Sequence, residues 1–159
     1  MYADTMTVGE AREELLQHVA DGTHCPCCEQ YVKQYKRKLN VGMARFLILL
    51  AKKSSGQNPW LYVVDIFKND DHPHPIRWGD YGKLRFWGLV ESKDDLGKGG
   101  KSAGYWRITE KGYQFLMGEI RVFKHIYSLN NKLVGFSSET IDIHDALGEH
   151  FDYYELMAA

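Results

Sequence analysis

The stretch that most constrains this fold is "LVESKDDLGKGGKSAGYWRITEKGYQFL", which covers residues 89–116. It opens with a short run of strand-forming residues, passes through a polar tip rich in glycine, and continues in "YWRIT", where apolar and polar side chains alternate. This pattern predicts a β-hairpin with a long loop at its end. Thr109 is placed to cap a helix directly after the second strand, and Gly112 permits close packing at the first turn of that helix.

Helical patterns precede the hairpin. Thr7 and Glu10 form a capping-box pattern, and apolar residues then recur at helical spacing. We predict a further short helix over residues 31–39, with its basic side chains on one side. The segment "VGMARFLILLAKK" is apolar on most sides and predicts the central core helix, for which Asn40 is the cap.

The rest of the chain predicts shorter elements. "WLYVV" has the composition of a strand, and a helix is expected near 80–90, with Asp80 as its cap. Two strand-like runs around "NNK" predict a second hairpin, and an acidic, aromatic tail follows it. Because five large apolar side chains are seldom left exposed in so short a chain, we expect this tail to pack on the protein itself.

Charge is distributed unevenly over the 159 residues, although the net charge is only −1. Residues 31–124 contain 18 Lys and Arg against 9 Asp and Glu, whereas residues 137–159 contain six acids and no Lys or Arg. The first 30 residues are acidic as well. A basic centre attracts nucleic acid through its local field, but solvated surface charge would give the same count.

All three cysteines lie in "GTHCPCCEQ", residues 22–30. Cys25 and Cys28 have the C-x-x-C spacing of a zinc knuckle, in which backbone amides point at the thiolates. A structural zinc site needs four ligands, and the other two would come from His24, Cys27 or the distant pair His72 and His74 of "HPHP". A Cys2His2 site of Cys25, Cys28, His72 and His74 is the chemically sensible set if zinc is bound. The alternative is a compact turn whose thiols pack as small apolar groups.

Several classes of protein are not expected. The sequence has no basic segment followed by an apolar core at its start, and no apolar run long enough to span a membrane, which favours a soluble, cytoplasmic protein. It has no phosphate-binding glycine loop after a strand and no supported catalytic triad, so we do not expect an enzyme.

The hairpin region carries a family resemblance. "LRFWGLVE" resembles the passage from recognition helix to wing in winged helix-turn-helix domains, and "GYWRITEKGYQFL" is similar to their exit strand, Y-x-(I/L)-T-x-x-G. The resemblance covers about half the chain. The whole chain is also similar to a group of small bacteriophage- and prophage-encoded proteins that share an opening helix, a "CPCC" turn, this wing and an ending like "FDYYELM".

The resemblance implies an α+β fold with a winged-helix core, an N-terminal helical extension that contains the cysteine knuckle, and a C-terminal β-hairpin. The expected segments are residues 1–39 for the N-terminal helices and cysteine turn, 40–120 for the winged helix, and 121–159 for the hairpin and tail on the same domain. Pro73 and Pro75 interrupt the expected second helix, which is therefore about one turn long or remodelled.

The resemblance also implies a function. Winged helices bind double-stranded DNA with the recognition helix in the major groove and the wing along the backbone or minor groove. The basic residues placed for this are Arg77, Lys83, Arg85, Lys98 and Lys101. Regulation of phage genes in the host cytoplasm is then the expected role. The alternative is a protein-interaction module, such as a phage inhibitor of a host protein or of a nucleic-acid-processing complex, and a homodimer is a further expectation.

Overall fold

The computed structural model describes residues 5–54, 56–68, 70, 72–76, 80–96 and 104–158. The chain divides into two compact units. The N-terminal unit consists of Met1–Lys38 and His125–Ser137, and the central unit of Leu39–Lys124 and Ser138–Ala159. This division differs from the three predicted segments, because the hairpin residues 125–137 group with the start of the chain.

The described residues form short helices and short strands. The α-helices are α1 (Val8–His18), α2 (Val41–Ser54), α3 (Val63–Lys68), α4 (Glu110–Leu116), α5 (Ile143–Leu147) and α6 (Tyr153–Ala158), and 3-10 helices cover Asp80–Trp87 and Lys93–Leu96. The strands are β1 (Thr23–His24), β2 (Tyr31–Val32), β3 (Gln34–Lys38), β4 (Leu61–Tyr62), β5 (Val90–Ser92), β6 (Tyr105–Ile108), β7 (Val122–Phe123), β8 (His125–Leu129), β9 (Lys132–Phe136) and β10 (Thr140–Ile141). The predicted α+β character is confirmed at this level.

The N-terminal unit contains two antiparallel sheets, β1–β2 and β3–β8–β9. Asn130 and Asn131 join β8 to β9 with φ values of 52° and 60°, a left-handed pair that suits a tight hairpin turn. The predicted second hairpin is therefore present. Helix α1 is also present as predicted, and the backbone N–H of Glu10 donates to Thr7 Oγ1 at 3.1 Å.

The predicted helix over residues 31–39 is wrong, because this segment forms β2 and β3. Strand β3 pairs antiparallel with β8 along its whole length, from Gln34 opposite Leu129 to Lys38 opposite His125. Helical spacing of Tyr31, Tyr35 and Leu39 suggested a helix, but tyrosines and valine also favour strands. A partner about ninety residues later in the chain satisfies the backbone of β3, and local periodicity does not reveal such a partner.

Helix α2 is the core helix of the central unit, as predicted. The backbone N–H of Met43 donates to Asn40 Oδ1 at 2.9 Å, which confirms Asn40 as the cap. Around α2 lies a core of aliphatic and aromatic side chains that are at most 2% exposed. They include Phe46, Leu47, Leu50, Ile66, Leu84, Trp87, Leu89, Ile108, Phe115, Leu116 and Ile143.

The central unit contains a three-stranded antiparallel sheet in the order β4–β6–β5. The strand predicted at "WLYVV" is shorter than expected, because the helix α3 already begins at Val63. Val63 and Ile66 are buried at the three-residue spacing of a helix turn, and their burial favours helix over continued strand. The interrupted second helix is thus about a turn and a half long.

Strand β6 leads directly into α4 through Thr109, as predicted. The Thr109 hydroxyl donates to the Gly88 carbonyl at 2.6 Å and accepts from the Gly112 backbone N–H at 3.0 Å. A Cβ atom at Gly112 would overlap the carbonyl oxygen of Leu89 and the side chain of Ile108. Glycine is therefore required here for close approach of α4 to the chain before β5.

The acidic tail folds as α5 and α6 on the central unit. Asp142 and Asp145 form a reciprocal capping box at the start of α5. The Tyr153 hydroxyl donates to the Leu116 carbonyl at 2.6 Å, and Lys52 Nζ donates to the Leu156 carbonyl at 3.0 Å. These bonds confirm that the tail packs on its own chain. Among the described helices, none is both long enough and apolar enough to cross a membrane.

Candidate nucleic-acid interface

The predicted recognition helix is a 3-10 helix over Asp80–Trp87 and not an α-helix. In a 3-10 helix, residues three apart lie on the same face. Leu84 and Trp87 are buried and Tyr81 is half-buried, so this three-residue repeat forms the face that packs on the core. An α-helix would spread the same three residues over a wider arc, which explains why the tighter helix forms.

Both ends of this helix are held in place. Trp87 Nε1 donates to the Phe123 carbonyl at 2.6 Å. Gly88 then adopts a φ of 73° and ends the helix. The other end is held by the Tyr81 ring, which packs against Phe46 with 4.7 Å between ring centroids. Burial raises the pKa of Tyr81, so its hydroxyl stays neutral at physiological pH.

The predicted contact residues Lys83 and Arg85 lie on the two faces of the 3-10 helix that are not packed on the core. Both are half-buried, and their cationic groups lie 5.8 Å and 5.1 Å from the centre of the Phe86 ring. The Phe86 ring therefore attracts both positive groups, which lie on one short segment. The other predicted contact residues, Arg77, Lys98 and Lys101, lie outside the described residues.

The strands next to the predicted wing carry charged and aromatic side chains that the sequence analysis missed. Arg107 Nε lies 2.7 Å from Glu91 Oε2, and the Arg107 guanidinium lies 4.2 Å from the centre of the Trp60 ring. Lys93 Nζ lies 5.4 Å from the centre of the Tyr105 ring. The sequence did contain a signal for Arg107. This residue alternates along the strand with Trp106 and Ile108, which are buried, and the alternation places Arg107 on the outer face of the sheet.

The cysteine turn lies between β1 and β2 in the N-terminal unit. The backbone N–H of Cys27 points at Cys25 Sγ, with 3.4 Å between nitrogen and sulfur. Backbone hydrogen bonds from Cys28 and Cys27 lower the pKa of the Cys25 thiol. All three cysteines are free thiols, and Cys27 and Cys28 are exposed. The predicted amide-to-thiolate geometry is therefore present at Cys25.

The two histidines proposed as further ligands lie in the central unit. Their ring centroids are 6.0 Å apart, and the backbone N–H of His74 donates to His72 Nδ1 at 3.0 Å. Because Nδ1 accepts this bond, a neutral His72 ring carries its proton on Nε2, so neither ring nitrogen offers a free lone pair to a metal in this arrangement. Asp70 organises the same loop by accepting from the backbone N–H of Ile76 at 2.7 Å.

The four predicted zinc ligands therefore come from two units, with Cys25 and Cys28 in one and His72 and His74 in the other. Over the residues described, no group of three or more His, Cys, Asp and Glu side chains is arranged to hold a metal ion. Each pair taken alone supplies half of a tetrahedral site. A zinc site made from all four residues remains a prediction from the sequence.

Comparisons with protein-family models, with curated proteins and with solved structures gave no match for this chain. The function is therefore argued from the geometry of the chain itself.

Proposed function

We propose that the central unit is a winged-helix module that binds double-stranded DNA and serves in the regulation of phage genes. Support comes from the order of its described elements, which is α2, β4, α3, the 3-10 helix Asp80–Trp87, β5, the 3-10 helix Lys93–Leu96 and β6. This is the order that the resemblance implies for residues 40–120. The sheet order β4–β6–β5 also agrees, since it sets the two strands of the wing side by side.

The observation that carries the proposal is the three-residue repeat of the helix Asp80–Trp87. Because Tyr81, Leu84 and Trp87 hold one face on the core, the other two faces present Lys83 and Arg85. A surface helix that is anchored on one side and basic on the others has the character of a DNA-contacting helix.

The dimensions also suit this role. Eight residues of 3-10 helix extend about 16 Å, which is enough to cross a major groove of about 12 Å width. Lys98 and Lys101 of the glycine-rich segment would contact phosphates, and Lys83 and Arg85 would position the helix by contacting phosphates as well. The mechanism is binding without catalysis, with counterion release as its main driving force.

The proposal is tested by the double variant Arg85→Gln with Lys101→Gln. We expect it to bind a labelled duplex at least about tenfold more weakly, because each substitution removes a charge-assisted bond to a phosphate and the counterion release that accompanies it. Fluorescence anisotropy of the duplex measures the change. The slope of log affinity against log salt should also become shallower by about 1 for each phosphate that the variant no longer binds.

The matched control is Arg12→Gln with Lys132→Gln, which removes the same charge from two exposed positions of the N-terminal unit. We expect the control to bind DNA nearly as well as the wild type. Equal decreases in affinity for both variants would show that net charge alone attracts DNA, and unchanged affinity in the first variant would show that another surface is used.

A second candidate function, protein interaction, is favoured by strand β9. In the described sheet β3–β8–β9, this strand pairs on one side only. Leu133 and Val134 on β9 are 39% and 52% exposed. An edge strand with exposed apolar side chains is a surface to which another strand adds readily. A host protein or a second copy of this chain would fit this edge.

A further inference from the structure

The central unit contains a cleft of about 510 Å³ that the proposed function does not use. It lies between α2, residues 70 and 72–76, and α6. One stripe of α2 forms its wall, with Arg45, Ile48, Leu49 and Lys52 at the i, i+3, i+4 and i+7 spacing of a single helix face. A cleft of this volume is in the range that binds small organic molecules.

Arg45 is the unusual residue of this wall, because it is only 8% exposed. The Phe151 ring covers the guanidinium, with 4.4 Å from the guanidinium carbon to the ring centre. In the part of the chain that the structure describes, no carboxylate lies within ion-pair distance of Arg45 and no acceptor takes a hydrogen bond from it. A buried arginine is normally paired.

Asp70 is a counter-charge that acts on Arg45, but its carboxylate already accepts hydrogen bonds within its own loop. Asp70 Oδ2 accepts from Ile76 N–H at 2.7 Å, and Oδ1 accepts from His72 N–H at 3.4 Å. Burial lowers the pKa of Arg45, and the negative charge of Asp70 acts in the opposite direction. The guanidinium therefore stays charged, and within the described residues its donors have no hydrogen-bond acceptor.

The contact with Phe151 uses the face of the guanidinium and leaves its edge available. The N–H donors of arginine lie in the guanidinium plane and match the two oxygens of a carboxylate or phosphate. Lys52 and Lys53 add two further positive groups to the cleft, and Glu155 adds one negative group. Lys52 Nζ donates one hydrogen bond to the Leu156 carbonyl, and an ammonium has two more donors.

The remaining wall is apolar, since Ile48, Leu49, Pro73, Ile76 and Leu156 line it. We propose that the cleft binds a small organic anion, whose carboxylate or phosphate pairs with the edge of Arg45 and whose apolar body lies against these side chains. The site is distinct from the described DNA contacts, because neither Lys83 nor Arg85 lines the cleft.

The test uses the full chain with phenyl phosphate and benzoate as probes, and with benzyl alcohol as the neutral probe of similar shape. Proton–nitrogen correlation spectra should show that the anions shift the Nε–Hε signal of Arg45 and the backbone amides of Ile48 and His72. Comparison of phenyl phosphate with benzoate shows which anionic group the cleft prefers. We expect benzyl alcohol to bind at least about tenfold more weakly than the preferred anion.

The variant Arg45→Met keeps the length and the apolar stem of the side chain. We expect it to bind the preferred anion at least about tenfold more weakly, while the exposed control Lys68→Met binds as the wild type does. If Arg45→Met does not fold, the exposed variant Lys53→Met serves instead and should bind several-fold more weakly.

Three results would overturn the proposal. The first is no change at Arg45 with either anion at millimolar concentration. The second is equal binding of benzyl alcohol and the anions, which would make the cleft a purely apolar one. The third is an anion affinity that the substitution Arg45→Met leaves unchanged. Where Lys53→Met is used in its place, an unchanged affinity in that variant overturns the proposal in the same way.

Discussion

Single residues decide how closely the backbone of the central unit packs, and Gly112 is the clearest case. We expect Gly112→Ala to destabilise the protein by about 1–3 kcal/mol, because its methyl group would overlap the Leu89 carbonyl. Urea unfolding followed by circular dichroism measures the shift in the midpoint.

Gly9→Ala is the control for this substitution. A Cβ at Gly9 would meet only Thr7 Oγ1, at 4.0 Å, and Gly9 lies within α1. We expect this variant to stabilise the protein by up to about 1 kcal/mol, since alanine loses less entropy in a helix. A Gly112→Ala protein with the wild-type midpoint would contradict the packing described at α4.

Some single-residue roles were predictable from the sequence and others were not. Thr109 and Asn40 are caps because their side chains bond to backbone groups three residues away, which is a local property. Arg45 stands out in the sequence because it is a charged residue within the apolar stretch that forms α2. The Phe151 ring that covers it comes from the far end of the chain, so this contact could not be derived from spacing.

At the scale of helices and strands, the sequence predicted the elements whose formation depends on local signals. The hairpin β8–β9 follows from two strand-like runs and an Asn-Asn turn, and α2 follows from its apolar density. Strand β3 was predicted as a helix because its partner β8 is distant in sequence. The 3-10 helix was predicted as an α-helix because Leu84 and Trp87 fit both periods.

The edge strand β9 gives the test of the second candidate function. We expect the wild-type chain to recover one stoichiometric host protein from a nuclease-treated lysate, or to form a dimer by light scattering. Val134→Lys should abolish either result, because a charge on an edge strand prevents strand addition. Leu16→Lys is the control, since Leu16 is an exposed apolar residue of α1 in the same unit.

A captured protein that still binds Val134→Lys would exclude β9 as the contact. A monomer that captures no protein would contradict the interaction function as a whole. Both results leave the DNA measurement unaffected, because the variant lies in the N-terminal unit and the proposed DNA contacts lie in the central unit.

At the scale of the whole molecule, charge separates along the chain more clearly than the net charge of −1 suggests. Residues 31–124 carry a net charge of +9, and this range contains all five proposed DNA contacts, namely Arg77, Lys83, Arg85, Lys98 and Lys101. The acidic residues of α5 and α6 lie in the same central unit. Attraction to DNA therefore depends on a local basic surface and should be strongly weakened by salt.

The measurement that tests the central claim most directly is the affinity of the wild-type chain for a random duplex at several salt concentrations. Five phosphate contacts predict a slope of about −4 to −5 for log affinity against log salt, or a decrease of two to three orders of magnitude between about 50 and 200 mM. Tight binding at low salt with a slope in this range is the expected result. No binding at about 50 mM salt, or an affinity that does not change with salt, would contradict the proposal that this protein binds DNA.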